Sequence, residues 1–159
     1  MQAPEEVPSV SLRDAPNRGM ATLRSLPGAR AETEAVGREL ATMAKNLYRP
    51  LTAGEKAKTV IGVTRVRIDG EWQQVVSVNG GAPPTAVGTV RVAAQQQGRL
   101  FRQAPGIEHP DTYLYNEYAM AEGFQAIGVS HFRGPCSACR NWLEERGFAE
   151  VYWDTAFVR

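Results

Sequence analysis

The residues able to do chemistry are concentrated in one stretch of the chain. Both cysteines, Cys136 and Cys139, and both histidines, His109 and His131, fall between residues 109 and 139. Pro135-Cys136-Ser137-Ala138-Cys139 places two thiols at i and i+3, the spacing of one helical face. Proline suits the first helical position, where its missing N–H costs nothing. The free N–H groups and dipole of a helix start stabilise thiolate over thiol. His109-Pro110-Asp111 has the same form, with proline at a helix start and an acid in the first turn. His109, Cys136 and Cys139 are soft or borderline donors that suit zinc and leave a fourth position open for water. An open position marks a catalytic zinc rather than a structural one. A CxxC pair alone also fits a redox couple or two buried thiols. The thioredoxin-like order of elements that a redox couple needs does not follow this one.

Other residues are secondary candidates. His131 ends a predicted strand near the cysteines and would line a pocket there, or serve as an ordinary surface or core histidine. Arg99, Arg102, Arg133 and Arg140 are the cations best placed in sequence to meet phosphate, although scattered solvated arginines are common. Tyr113, Tyr115, Tyr118, Trp142 and Leu143 read mainly as packing residues.

The elements that must position these groups follow from periodicity. Residues 1–29, with Pro4, Pro8, Pro16 and Pro27, read as a flexible arm, and residues 30–159 as one domain. Val36, Leu40, Met43 and Leu47 recur at helical spacing and predict a helix from Ala31 to Arg49, stopped at Pro50. Thr59 to Asp69 and Glu71 to Asn79 read as strands joined by a two-residue turn at Asp69-Gly70. Residues 80–105 read as a long connection holding a short helix or strand. The last third alternates: helix Pro110 to Gly123, strand Gln125 to His131, a helix opening at Gly134-Pro135 and ending at Gly147, and a closing strand Ala149 to Trp153. Such βαβ units favour parallel pairing with right-handed crossovers. The expected fold is α/β, a mixed sheet flanked by helices.

Composition narrows the function. Lys plus Arg number 18 against 17 Asp plus Glu, so bulk charge does not indicate a strongly basic nucleic-acid binder. Two cysteines exclude a multi-disulfide scaffold and an all-cysteine zinc site within one chain. No run approaches the roughly 18 apolar residues of a membrane span. The first residues lack the basic and apolar regions of a signal peptide.

The pattern His109-x-Asp111 followed by Pro135-Cys136-x-x-Cys139 resembles the zinc-dependent nucleoside and nucleobase deaminase superfamily, whose signature is H-x-E…P-C-x-x-C. The order of elements from residue 59 to residue 155 matches as well. The segments VVSVNGG and IGVSHFRGPCSACRNWLEERG most resemble the bacterial polymorphic-toxin branch. The resemblance implies a cytidine-deaminase-like three-layer α/β/α sandwich with a mixed β-sheet. It implies one Zn2+ per chain on His109, Cys136 and Cys139, and hydrolytic conversion of cytosine to uracil with Asp111 carrying the proton. Asn79 matches an asparagine that contacts the sugar in that family, and His131 and Arg133 are the further substrate-binding candidates. The family's carboxylate is Glu, and Asp is shorter by one methylene, with a reach about 1.5 Å less. Glu117 is therefore the alternative proton carrier.

The expected function is deamination of cytosine in nucleic acid, DNA favoured over RNA, by an interbacterial toxin domain. Such a domain would be secreted or delivered within a larger toxin, act in the target-cell cytoplasm and require an immunity protein. A deaminase of free nucleosides or nucleotides and a non-catalytic zinc-stabilised binding module are the rival expectations.

Overall fold

The computed structural model describes residues 27–118, 120–121, 123–130, 137–152 and 156–159. The expected arm therefore lies outside the described residues up to residue 26. The chain divides into two units, Met1–Ala35 and Val36–Arg159. Helix α1 runs from Pro27 to Tyr48, beginning four residues before the expected Ala31. After a short helix α2 (Ala53–Lys56), β1 (Ile61–Ile68) and β2 (Glu71–Val78) form the expected antiparallel hairpin, with Ile68 opposite Glu71. Asp69 (φ 53°) and Gly70 (φ 82°) both take the left-handed conformation that matches a two-residue turn to strand twist.

Residues 80–105 hold more structure than the sequence suggested. Helix α3 spans Pro84–Gln96 and β3 spans Leu100–Gln103, pairing parallel with β2. Helix α4 (Pro110–Tyr118) stops short of the expected Gly123, and β4 covers Ala126–Ser130. Helix α5 is described from Ser137 to Glu145, and β5 covers Ala149–Tyr152. Gly147 (φ 89°) ends α5 as expected. Its N–H bonds Glu144 O at 3.0 Å and the Phe148 N–H bonds Leu143 O at 3.1 Å, the paired bonds of a Schellman ending. A last strand, β6 (Ala156–Val158), was not anticipated.

The six strands lie in the order β3-β2-β1-β4-β6-β5. β6 pairs antiparallel with both β4 and β5, so the strands flanking α5 are not neighbours. The expected parallel pairing there is thus corrected: β2–β3 is the parallel pair among the described strands. Two cores fill the two faces of this mixed sheet. Leu40, Leu47, Ile61, Val63, Val76, Val78, Val90 and Val158 pack with α1 and α3 on one face. Val66, Val75, Leu114, Ile127, Val129, Leu143 and Phe157 pack with α4 and α5 on the other. Glycine permits the closest approaches. A Cβ at Gly128 would stand 2.3 Å from Ala41 N, so α1 rests its backbone on β4. No helix among the described residues is long and apolar enough to cross a membrane.

Candidate metal centre

The site grows from the end of the sheet where β1 begins and β2 and β4 finish. Ile61 pairs with Val78 on one side and Ser130 on the other. Gly62 lies under the start of α4. A Cβ there would stand 3.1 Å from Pro110 Cβ and 3.2 Å from a Leu114 methyl. The glycine lets the first turn of α4 settle on the strand, and fully buried Leu114 holds it there. Leu143, also fully buried, holds α5 against the same face. The two helices pack against each other.

This packing brings together residues far apart in sequence. His109 Nδ1 and Cys139 Sγ are 3.0 Å apart. Asp111 is 1% exposed, and its Oδ1 accepts the Thr112 N–H at 3.0 Å. Its Oδ2 is buried and has no hydrogen-bond partner among the described residues. One donor atom each from His109, Asp111 and Cys139 lies within 4.8 Å of the others, so the three could hold a metal ion. Nitrogen and sulfur donors at about 2.0 and 2.3 Å from a tetrahedral zinc are separated by about 3.6 Å. The observed pair stands about 0.6 Å closer, at hydrogen-bond spacing, and would open by that much around an ion. An orphaned carboxylate oxygen beside an imidazole and a thiol also fits an ion as its missing partner. Burial pushes the Asp111 carboxyl above the ordinary carboxylate range. The Thr112 N–H, the charge of His109 and the Cys139 thiol pull it partly back.

Cys136, His131 and Arg133 lie outside the described residues. Glu117 is exposed and stands apart from the cluster. It follows Asp111 by six residues, which turns it about 240° around the helix. Asn79 closes β2, and its carboxamide braces the entry to β1. Its Oδ1 accepts the Val60 N–H at 2.8 Å and its Nδ2 donates to Lys58 O at 3.0 Å. Arg99 Nε donates to Gln74 Oε1 at 2.6 Å, Arg102 is exposed, and Arg140 is half-buried on α5. Tyr115 packs edge-on to Trp142 at 5.0 Å between ring centres, a core contact.

One positioning residue, Gly62, is passed over in the sequence reading. A lone glycine inside a β-branched strand is a general signal of close backbone approach, which Gly62 carried. No family model and no curated protein matches the chain. Among solved structures, NF4, a de novo designed protein with a novel fold, is similar over 73% of this chain and 94% of its own. The identity is 14% and the TM-score 0.37, a likeness that carries no argument about function.

Proposed function

We propose that the protein is a zinc-dependent hydrolase that deaminates cytosine in nucleic acid, DNA ahead of RNA, as the toxin domain of a larger delivered chain. The observation that carries this reading is the meeting of His109, Asp111 and Cys139 at two adjacent helix starts. An imidazole and a thiol suit zinc better than magnesium or calcium. Cys136, three residues before Cys139, would supply the third ligand of the set. Bound there, zinc supplies the Lewis acidity that makes water a nucleophile at neutral pH. The residues of this chain handle the proton. The overall change adds one water to cytosine and releases uracil and ammonia. Asp111 takes a proton from the attacking water and gives it to the ring nitrogen beside the amine-bearing carbon. It then moves a proton to the departing amine. The first turns of α4 and α5 favour the negative charge that develops. The resemblance of HPD and PCSAC to the deaminase signature supports the base and the cytidine-deaminase-like sandwich. An immunity protein would protect the producing cell. Sequencing DNA and RNA from bacteria expressing the chain, beside Asp111→Asn, tests the reading. C-to-T or C-to-U changes lost in the variant are expected, and unchanged nucleic acid of both kinds would overturn it.

The orphaned Oδ2 of Asp111 favours one other reading. If it ligates the ion together with His109, Cys136 and Cys139, four protein donors close a tetrahedral site. The protein would then be a zinc-stabilised binding module without catalysis. Asp111→Asn separates the two. A proton carrier leaves zinc bound when replaced, whereas a ligand takes the zinc with it.

A further inference from the structure

The turn that delivers His109 is held by residues almost thirty positions upstream. The Ala104 N–H bonds Val78 O at 2.9 Å, and the Gly80 N–H bonds Glu108 O at 3.0 Å. Gln103 Nε2 donates to Gly80 O at 3.2 Å. Within the turn, the Glu108 N–H returns to Pro105 O at 3.0 Å, and Gly106 sits at φ 57°. Asn116 Nδ2, on α4, donates to Glu108 Oε2 at 3.1 Å. Gly80 lies directly against this turn. A Cβ there would stand 2.0 Å from Gly106 O, 2.7 Å from Gly106 C and 2.8 Å from Ala104 O. These are backbone atoms and cannot swing aside as a side chain would. The adjacent Gly81 is different, since a Cβ there meets Asn79 Nδ2 at an ordinary 4.0 Å.

We infer that Gly80 is a positioning residue for the metal centre: its bare Cα seats the 104–108 turn on the end of β2, and its N–H fixes Glu108 one residue before His109. This inference rests on the metal reading given above. Ordinary carbon contacts lie at about 3.5 Å, so a methyl group at Gly80 displaces the turn by roughly an ångström or more. That exceeds the roughly 0.5 Å within which a constellation of ligands must be held. Gly80 makes no bond to the ion and acts through His109.

The test measures zinc affinity of the full chain by chelator competition, with the cobalt–thiolate charge-transfer band as a second readout. Gly80→Ala should bind zinc at least tenfold more weakly and alter the cobalt band, while Gly81→Ala should match the wild type in both. Equal affinity in Gly80→Ala and wild type overturns the inference, and so does equal weakening by both substitutions. Failure of the wild type to bind zinc overturns the metal reading itself, which is a distinct result. If Gly80→Ala does not fold, hydrogen exchange in the wild type decides. Coupling is reciprocal, so zinc should slow exchange of the Gly80 N–H several-fold and leave the distal Gly70 N–H unchanged. No slowing at Gly80 overturns the inference.

Discussion

Replacing Asp111 by Asn should remove a pH-dependent loss of stability from the metal-free protein. Asp111 is buried with one oxygen unpartnered among the described residues, and burial raises its pKa above the ordinary carboxyl value of about 3.8. The folded protein therefore holds this proton more tightly than the unfolded chain does. Its contribution is most favourable below about pH 3.8 and is lost as pH rises through the folded-state pKa. One proton of difference corresponds to about 1.4 kcal/mol for each pH unit inside that window. For a chain of this size that is roughly 3–6 °C in melting temperature per pH unit. Asn keeps an oxygen for the Thr112 N–H and carries no titration. Thermal melts of both proteins in chelator, from pH 4 to pH 8, measure the difference. The wild type should lose stability relative to the variant as pH rises from 4, and the gap should level off above the folded-state pKa. Added zinc should shrink the gap, because a nearby cation favours the carboxylate. Parallel curves in chelator, or a wild type that gains on the variant with rising pH, would show that the folded chain does not hold the Asp111 proton more tightly than the unfolded one.

Three further substitutions probe the supports of the site. Gly62→Ala presses a methyl against Pro110 and Leu114, and should destabilise the chain by about 1–3 kcal/mol in chemical denaturation while weakening zinc binding. Glu117→Gln should leave zinc affinity and deamination unchanged, since Glu117 is exposed and apart from the cluster; lost activity with zinc retained would move the proton-carrying role to it. Asn79→Ala removes the acceptor of the half-buried Val60 N–H and leaves the exposed Lys58 O to water, and should lower stability by about 0.5–1.5 kcal/mol even without substrate. An unchanged melting temperature there would leave substrate contact as the sole role of Asn79.

Much of the site was legible because it depends on local rules. Asp69-Gly70 specified the hairpin, Gly147 specified the end of α5, and the His109-Pro110-Asp111 helix start appears where the sequence placed it. Helix α3 was obscured because Val, Thr and Gly in PTAVGTVRVAAQQ argue against a helix locally. Burial of Ala86, Val87, Val90 and Ala94 along one face overrides that propensity. Strand β6 is three residues long, and its place between β4 and β5 depends on pairing that no local pattern encodes. The sequence marked Asp111 as an acid in a first helical turn that matches the deaminase carboxylate, but not as a buried one. Its burial depends on Gly62 admitting Pro110 and on α5 closing over the same face, both contacts between segments distant in sequence. The clash that makes Gly80 indispensable is likewise invisible until the 104–108 turn is laid upon it.

If His109 and Cys139 hold a metal ion at the starts of α4 and α5, native mass spectrometry of the purified full chain should find one zinc per chain, and Cys139→Ala should carry none. A wild type without zinc, or a variant that retains it, would show that these two residues do not form a metal centre.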